Sequence, residues 1–131
     1  MPRALAAFSA IVLLQLSVSA ATAETFHVHA APGETVEVSN EAAWDKSCQG
    51  AGAPTYTFTA KPAHGAISTR PQTKVIKTCE AGHCACLGHE VLGSAIYYTP
   101  AAGFRGSDTF SFTSAFPNGR VLRHQALVTV K

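Results

Sequence analysis

The feature that most constrains the fold is a stretch near the C-terminus, residues 97–112, in which two strand-like segments flank a short corner. Residues 95–99 are rich in aromatic and β-branched side chains, and residues 108–114 alternate Thr or Ser with Phe, the pattern of a half-buried strand. One proline and two glycines in the corner supply a fixed φ angle and a permissive backbone. We expect Phe104, in the middle of this corner, to plug one end of an apolar core.

The corner sequence resembles a known signature. Residues 98–110, Tyr-Thr-Pro-Ala-Ala-Gly-Phe-Arg-Gly-Ser-Asp-Thr-Phe, are similar to the Tyr-x-Pro-x-x-Gly-Phe-x-Gly-x-Asp-x-Phe pattern of bacterial Ig-like and cadherin-like repeat domains. Residues 61–65, Lys-Pro-Ala-His-Gly, resemble the x-Pro-x-His-Gly turn of the same family. The resemblance implies an Ig-like (cadherin-like) β-sandwich and says little about activity, because the matched residues build a corner and a core.

The rest of the sequence also predicts an all-β chain of about seven short strands. The first strand pattern covers residues 24–30 and, after a break at 31–33, resumes at 35–38, and the others lie at residues 55–61, 66–69, 74–78, 95–99, 108–114 and 121–130. Residues 39–54 are predicted to be a loop with one helical turn over 41–45. Pro71 is expected to end its strand, because proline cannot donate to a ladder. His124 falls on the apolar face of the last strand, at the edge of the core or at a bulge.

The N-terminus has the pattern of a secretory signal peptide over residues 1–23. A short basic start precedes an apolar run over residues 5–16, and Ala21-Thr22-Ala23 forms a small-x-small cleavage site. This predicts a periplasmic or secreted protein with one domain over residues 24–131. The alternative is an uncleaved segment that anchors the chain to a membrane.

Charge and motifs argue against several function classes. Ten Lys and Arg residues against eight Asp and Glu give a formal net charge of +2, without a basic cluster. Nucleic acid and anionic membrane surfaces are therefore not expected partners. The sequence has no nucleophile elbow, phosphate-binding loop or His-Glu-x-x-His motif, so we expect no enzymatic activity and no cofactor.

Four cysteines, Cys48, Cys79, Cys84 and Cys86, follow the signal sequence and predict two disulfides. A Cys84–Cys86 bridge would close a very small ring, which leaves two of the three possible pairings. The resemblance favours Cys48–Cys86 with Cys79–Cys84. In the family that the chain resembles, one cysteine precedes the strand that corresponds to residues 55–61, which is Cys48 here. A second lies in a Cys-Leu-Gly element before the Tyr-x-Pro strand, which is Cys86 here.

The alternative to disulfides in residues 79–89 is a metal site. Cys79, His83, Cys84, Cys86 and His89 offer thiolate and imidazole ligands that suit Zn²⁺ or Cu⁺. The spacing lacks a Cys-x-x-Cys pair, and export favours oxidation of the cysteines. The alternative function is therefore a periplasmic Zn or Cu protein that uses residues 79–89.

The function expected from the sequence is that of an exported structural or binding module of the cell envelope, with a protein or glycan ligand. Trp44 and Arg105 are the candidate binding residues, because exposed Trp and Arg are enriched at binding hot spots. The simpler interpretations are that Trp44 packs on a disulfide and that Arg105 is solvated. His27 and His29 are interpreted as surface or edge histidines on opposite faces of a strand, which would prevent them from chelating one ion together.

Overall fold

The computed structural model describes residues 24–79 and 84–131, so the predicted signal peptide lies outside the described residues. The described residues form strands and connecting turns, and none of them builds a helix long and apolar enough to cross a membrane. The strands are β1 (Glu24–Ala30), β2 (Val36–Glu41), β3 (Ala43–Trp44), β4 (Gly50–Gly52), β5 (Thr55–Ala60), β6 (Gly65–Val75), β7 (Glu90–Pro100), β8 (Gly106–Ala115) and β9 (Val121–Val130).

Seven of these strands form two main sheets. One sheet has the order β1-β9-β8-β5 and the other the order β2-β7-β6, while β3 and β4 pair as a separate small ribbon. The first strand runs parallel to the last, and the other pairs are antiparallel. Residues from both sheets meet in one apolar cluster, so the two sheets pack face to face.

The core follows from the alternation along each strand. On β8, Phe110 and Phe112 are each 1% exposed, whereas Thr109, Ser111 and Thr113, which alternate with them, are exposed or partly exposed. On β7, Ile96 and Tyr98 are completely buried and close the core from the other sheet. The rings of Tyr98 and Phe110 stack with centroids 6.3 Å apart, which joins the two layers.

The strand order agrees with the predicted Ig-like sandwich. In such folds three central antiparallel strands of one sheet, B-E-D, face the three strands C-F-G of the other. Here β2-β7-β6 and β5-β8-β9 occupy these places, and β1 lies beside β9. The prediction of an all-β, disulfide-containing sandwich is confirmed.

Two local predictions are wrong. Strand β6 continues through Pro71, which lies opposite Ser94, and it unites the strand predicted at 66–69 with the first two residues of the strand predicted at 74–78. A proline is tolerated here because β6 is the edge of its sheet, where half of the backbone N–H groups have no ladder partner.

The helical turn predicted over residues 41–45 is replaced by a strand, β3, which pairs with β4. The turn between them is held by Asp45, whose Oδ1 accepts hydrogen bonds from the backbone N–H groups of Ser47 at 2.8 Å and Gln49 at 3.1 Å. An aspartate that bonds the backbone two residues on favours a turn over a helix.

Candidate binding site

The two sequence segments that carry the family resemblance contact each other through one carboxylate. Asp108, only 5% exposed, accepts hydrogen bonds from the backbone N–H groups of Ala63 at 3.0 Å, His64 at 2.9 Å and Thr109 at 2.9 Å. It also accepts a hydrogen bond of 2.8 Å from the hydroxyl of Tyr98. The carboxylate therefore fastens the Pro-x-His-Gly turn to the Tyr-x-Pro corner.

The same network sets the ionisation of Asp108 and Tyr98. Burial alone would raise the pKa of Asp108, but the hydrogen bonds from Tyr98 and three backbone N–H groups outweigh it and hold the pKa below its usual value. Burial, followed by the hydrogen bond to Asp108 and its negative charge, raises the pKa of Tyr98. Asp108 is therefore favoured in its charged form and Tyr98 in its neutral form, which are the forms in which the carboxylate accepts and the hydroxyl donates the hydrogen bond between them.

The corner itself is only partly buried. Phe104 is half-buried against the core, and its ring stacks on the imidazole of His64 with centroids 4.3 Å apart. Arg105 is exposed beside it. The expectation that Phe104 closes one end of the core is therefore met only in part, since the ring is half-buried and stacks on an exposed imidazole.

Trp44 lies at the opposite end of the sandwich from Arg105. The ten residues of β8 separate the two ends, because Arg105 precedes this strand and the loop near Trp44 follows it. Trp44 packs against a second small core formed by Ile76, Cys86 and Val91. The structure does not bring the two candidate binding residues together.

One of the two disulfides belongs to this second core, through Cys86 and Cys48. Cys48 is joined to Cys86, with 5.2 Å between the Cα atoms, and Cys79 is joined to Cys84, with 4.5 Å. This is the pairing that the resemblance implies. Trp44 and Cys48 both pack on the second core, as the simpler interpretation of Trp44 expects.

With all four sulfurs in disulfides, no thiolate remains for the predicted metal site. His83 lies outside the described residues, and His89 is exposed. Within residues 24–79 and 84–131, no group of three or more His, Cys, Asp and Glu side chains is placed to hold a metal ion.

Next to Trp44 the surface opens into a cleft of about 350 Å³. Its walls combine apolar rings and aliphatic groups with charges of both signs. The lining residues are Glu24, Glu41, Ala42, Ala43, Trp44, Lys74, Phe116, Asn118, Arg120 and Leu122. A volume of this size is within the range of ligand pockets in proteins. We call this feature the Trp44 cleft.

A buried polar cluster lies at the base of the Trp44 cleft. Glu41 Oε2 accepts a 2.5 Å hydrogen bond from the hydroxyl of Ser114, and its Oε1 lies 3.1 Å from Nε2 of His124. The second contact has the distance of an ion pair without the alignment of a hydrogen bond. His124 is 5% exposed and lies against the rings of Phe26 and Phe112.

Tyr56 completes this cluster from the edge strand β5. Its hydroxyl donates a 2.6 Å hydrogen bond to the backbone carbonyl of Ser94 on the facing sheet. Burial raises the pKa of Tyr56, and the negative charge of Glu41 raises it further. The cluster therefore links both sheets through the hydrogen bonds of Ser114 and Tyr56, whereas neither ring nitrogen of His124 has a hydrogen-bond partner among the described residues.

Sequence reasoning did not find Glu41, because it lies in a segment predicted to be a loop. The only available signal was His124 on the apolar face of β9, which indicates a buried imidazole in need of a partner. No distinct motif marks the partner, since the contact between Glu41 at the end of β2 and His124 near the start of β9 forms only when the two sheets pack face to face.

No protein-family model, curated protein or solved structure matches the chain. What the chain can do is therefore argued from the geometry of its own residues.

Proposed function

We propose that this chain is an exported, non-enzymatic binding module of the cell envelope that takes a protein or glycan ligand at the Trp44 cleft. The observation that carries the proposal is the cleft itself, which sets an indole beside carboxylates and cations. The relation to cadherin-like repeat domains is part of the same proposal and is supported by the clamp that Asp108 makes between the two matching segments.

Both disulfides indicate an oxidising, extracytoplasmic environment. The signal sequence predicted for residues 1–23 supports the more specific proposal that the chain is periplasmic or secreted. The Cys48–Cys86 disulfide also supports binding, because it fixes the turn that follows Trp44 and thereby lowers the entropy lost when the Trp44 cleft holds a ligand.

The lining of the Trp44 cleft suits a polar ligand with an apolar face. Indole rings supply a large flat contact surface and lose little conformational entropy on binding. Lys74 and Arg120 can pair with acidic groups, Glu24 can pair with basic ones, and Asn118 can donate or accept. Sugars and peptide segments both present this combination of polar groups and apolar faces.

The polar cluster under the cleft supports a binding role rather than catalysis. Nucleophilic catalysis by a serine needs its hydroxyl to bond a base. Here the hydroxyl of Ser114 donates to Glu41, and the imidazole of His124 faces the other oxygen of the same carboxylate. The carboxylate is itself a base, but Ser114 is completely buried, so a substrate in solution has no access to its hydroxyl.

Binding can be followed directly because Trp44 is the single tryptophan of the chain. Titration with soluble cell-wall glycan fragments, and separately with an envelope-protein extract, should change its fluorescence for one class of ligand. For the ligand identified, calorimetry should show at least about tenfold weaker binding to Trp44→Ala and Arg120→Gln, since central contacts dominate binding energy.

Arg105→Ala at the far end of the sandwich is the matched control and should bind as the parent does. Loss of binding in Arg105→Ala with retention in both cleft variants would locate the ligand at the corner and overturn the proposal. Absence of any bound protein or glycan would overturn it as well.

A further inference from the structure

The outer face of β1 presents two imidazoles side by side. Phe26 and Val28 turn toward the core, whereas His27 and His29 are exposed. Residues two apart on a strand share a face, so both histidines point away from the core on the same side. The expectation that the two histidines lie on opposite faces of the strand is therefore wrong.

We propose that His27 and His29 form a two-imidazole site for a late divalent transition-metal ion, Cu²⁺ or Zn²⁺, on the outer face of β1. This site is independent of the Trp44 cleft. Water would complete the coordination, since two ligands leave positions open at either ion. It is also distinct from the site predicted at residues 79–89, whose sulfurs are in disulfides.

The spacing of the two side chains suits chelation. Along a strand, residues two apart are separated by about 6.6 Å. A metal–nitrogen bond is about 2.0–2.1 Å, and each imidazole extends its ring nitrogens several ångströms beyond Cβ, so two rings that tilt toward each other can reach one ion. The backbone of β1 is held in place because every residue from Glu24 to Ala30 is in register with β9.

The surroundings of the pair decide which ions it prefers. On the same face, the β9 residues in register with residues 25, 27 and 29 are Gln125, Leu127 and Thr129, and none of these three side chains carries a charge. No cation among these neighbours repels a bound ion, and no carboxylate among them supplies the ligand that Ca²⁺ or Mg²⁺ prefers. Two neutral imidazoles instead favour Cu²⁺ first and Zn²⁺ next.

Access to the pair is open. Within residues 24–79 and 84–131, strand β1 is the edge of its sheet, and the side chains of His27 and His29 are exposed. Both imidazoles can therefore rotate toward a shared ion, and water can reach that ion.

The test uses the untagged, disulfide-bonded protein with Cu²⁺, Zn²⁺ and Ca²⁺ as separate probes at neutral pH, measured by competition with a chromogenic chelator. We expect one Cu²⁺ or Zn²⁺ per chain and no binding of Ca²⁺. His27→Gln and His29→Gln should each weaken binding at least about tenfold, because a single remaining imidazole loses the advantage of chelation.

Two further variants keep the test specific. His89→Gln removes an exposed histidine elsewhere and should leave the affinity unchanged. Thr25 lies two residues before His27 on the same exposed face, so Thr25→His in the His29→Gln background should restore chelation with His27. Equal metal binding by the parent and a His27→Gln/His29→Gln double variant, or failure of the Thr25→His rescue, would overturn the proposal.

Discussion

The hydroxyl of Tyr98 donates a 2.8 Å hydrogen bond to Asp108 inside the core, and both residues belong to the sequence segment that resembles a family signature. The carboxylate also bonds two backbone N–H groups of the turn at residues 63 and 64. The Tyr and Asp of the signature, together with the turn that precedes them, therefore act as one structural unit. Its contribution to stability should depend on pH.

Acid should weaken this unit. Because the pKa of Asp108 is held below its usual value in the folded chain, its contribution to stability is present above the unfolded pKa of about 3.9 and is lost as pH falls through the folded pKa. Asp108→Asn should cost about 1.5–3 kcal/mol at pH 7, the value of hydrogen bonds to a charged group. Chemical denaturation from pH 7 to pH 2 should show a gap between parent and variant that narrows below about pH 4. A gap that stays constant down to pH 2 would contradict this assignment.

Gly65 is required for close packing beside the same tyrosine. A Cβ atom built at this position would lie under 3 Å from the ring of Tyr98, which is completely buried and cannot move aside. Gly65→Ala should therefore destabilise the fold by about 1–3 kcal/mol, as overpacking of a core does. Gly50→Ala is the control, because its Cβ would meet only an ordinary contact at 3.9 Å. Equal midpoints of denaturation for the two variants would show that the ring does give way.

The strands and the corner could be predicted from local sequence patterns. Along a strand, buried and exposed positions alternate, and this alternation is visible over a few neighbouring residues. Phe110 and Phe112 alternate with polar residues and lie in the core as expected. The Pro71 prediction failed because its outcome depends on whether β6 is an edge strand, which is a property of the sheet order rather than of nearby residues.

The buried cluster under the Trp44 cleft could not be predicted for a similar reason. Glu41 and His124 lie in segments far apart in sequence, and only packing of the two sheets brings them to 3.1 Å. The same limit applies to the Trp44 cleft, since its walls come from several strands and the turn that follows β8. Sequence alone indicated Trp44 as a candidate but not the charges beside it.

Phe104 should matter less than a fully buried phenylalanine. Its ring is half-buried and stacks on the exposed His64, whereas Phe110 is 1% exposed within the core. Phe110→Ala should cost about 3–5 kcal/mol. Phe104→Ala should cost about 1–2 kcal/mol, since only part of its apolar surface is removed from water. Urea denaturation of both variants measures the difference, and a Phe104→Ala cost equal to that of Phe110→Ala would mean that the corner ring is a full member of the core.

The two disulfides should contribute unequally. Cys48–Cys86 spans 38 residues and Cys79–Cys84 spans five. Because a bridge restricts the unfolded chain more when it closes a longer loop, loss of the first should cost about 4 kcal/mol and loss of the second about 2 kcal/mol. The paired variants Cys48→Ala/Cys86→Ala and Cys79→Ala/Cys84→Ala, compared by thermal unfolding with and without reductant, test this order. Free thiols in the native protein together with bound Zn or Cu would instead support the alternative metal site.

Ser114 should stabilise the sandwich through Glu41. Its side chain is completely buried, and its hydroxyl donates a 2.5 Å hydrogen bond to the carboxylate from the facing sheet. Ser114→Ala leaves one carboxylate oxygen without this donor and should cost about 1.5–3 kcal/mol. Ser111→Ala on the outer face of the same strand is the matched control and should change stability by no more than about 0.5 kcal/mol.

The partner of Ser114 can be identified with a double-mutant cycle. In a Glu41→Gln background the charged acceptor is absent, so the cost of Ser114→Ala should fall by at least about 0.5 kcal/mol relative to its cost in the parent. Denaturation midpoints of the four proteins give this coupling directly. A coupling of zero would mean that the serine acts through packing alone, and that the carboxylate does not tie β2 to β8 across the sandwich.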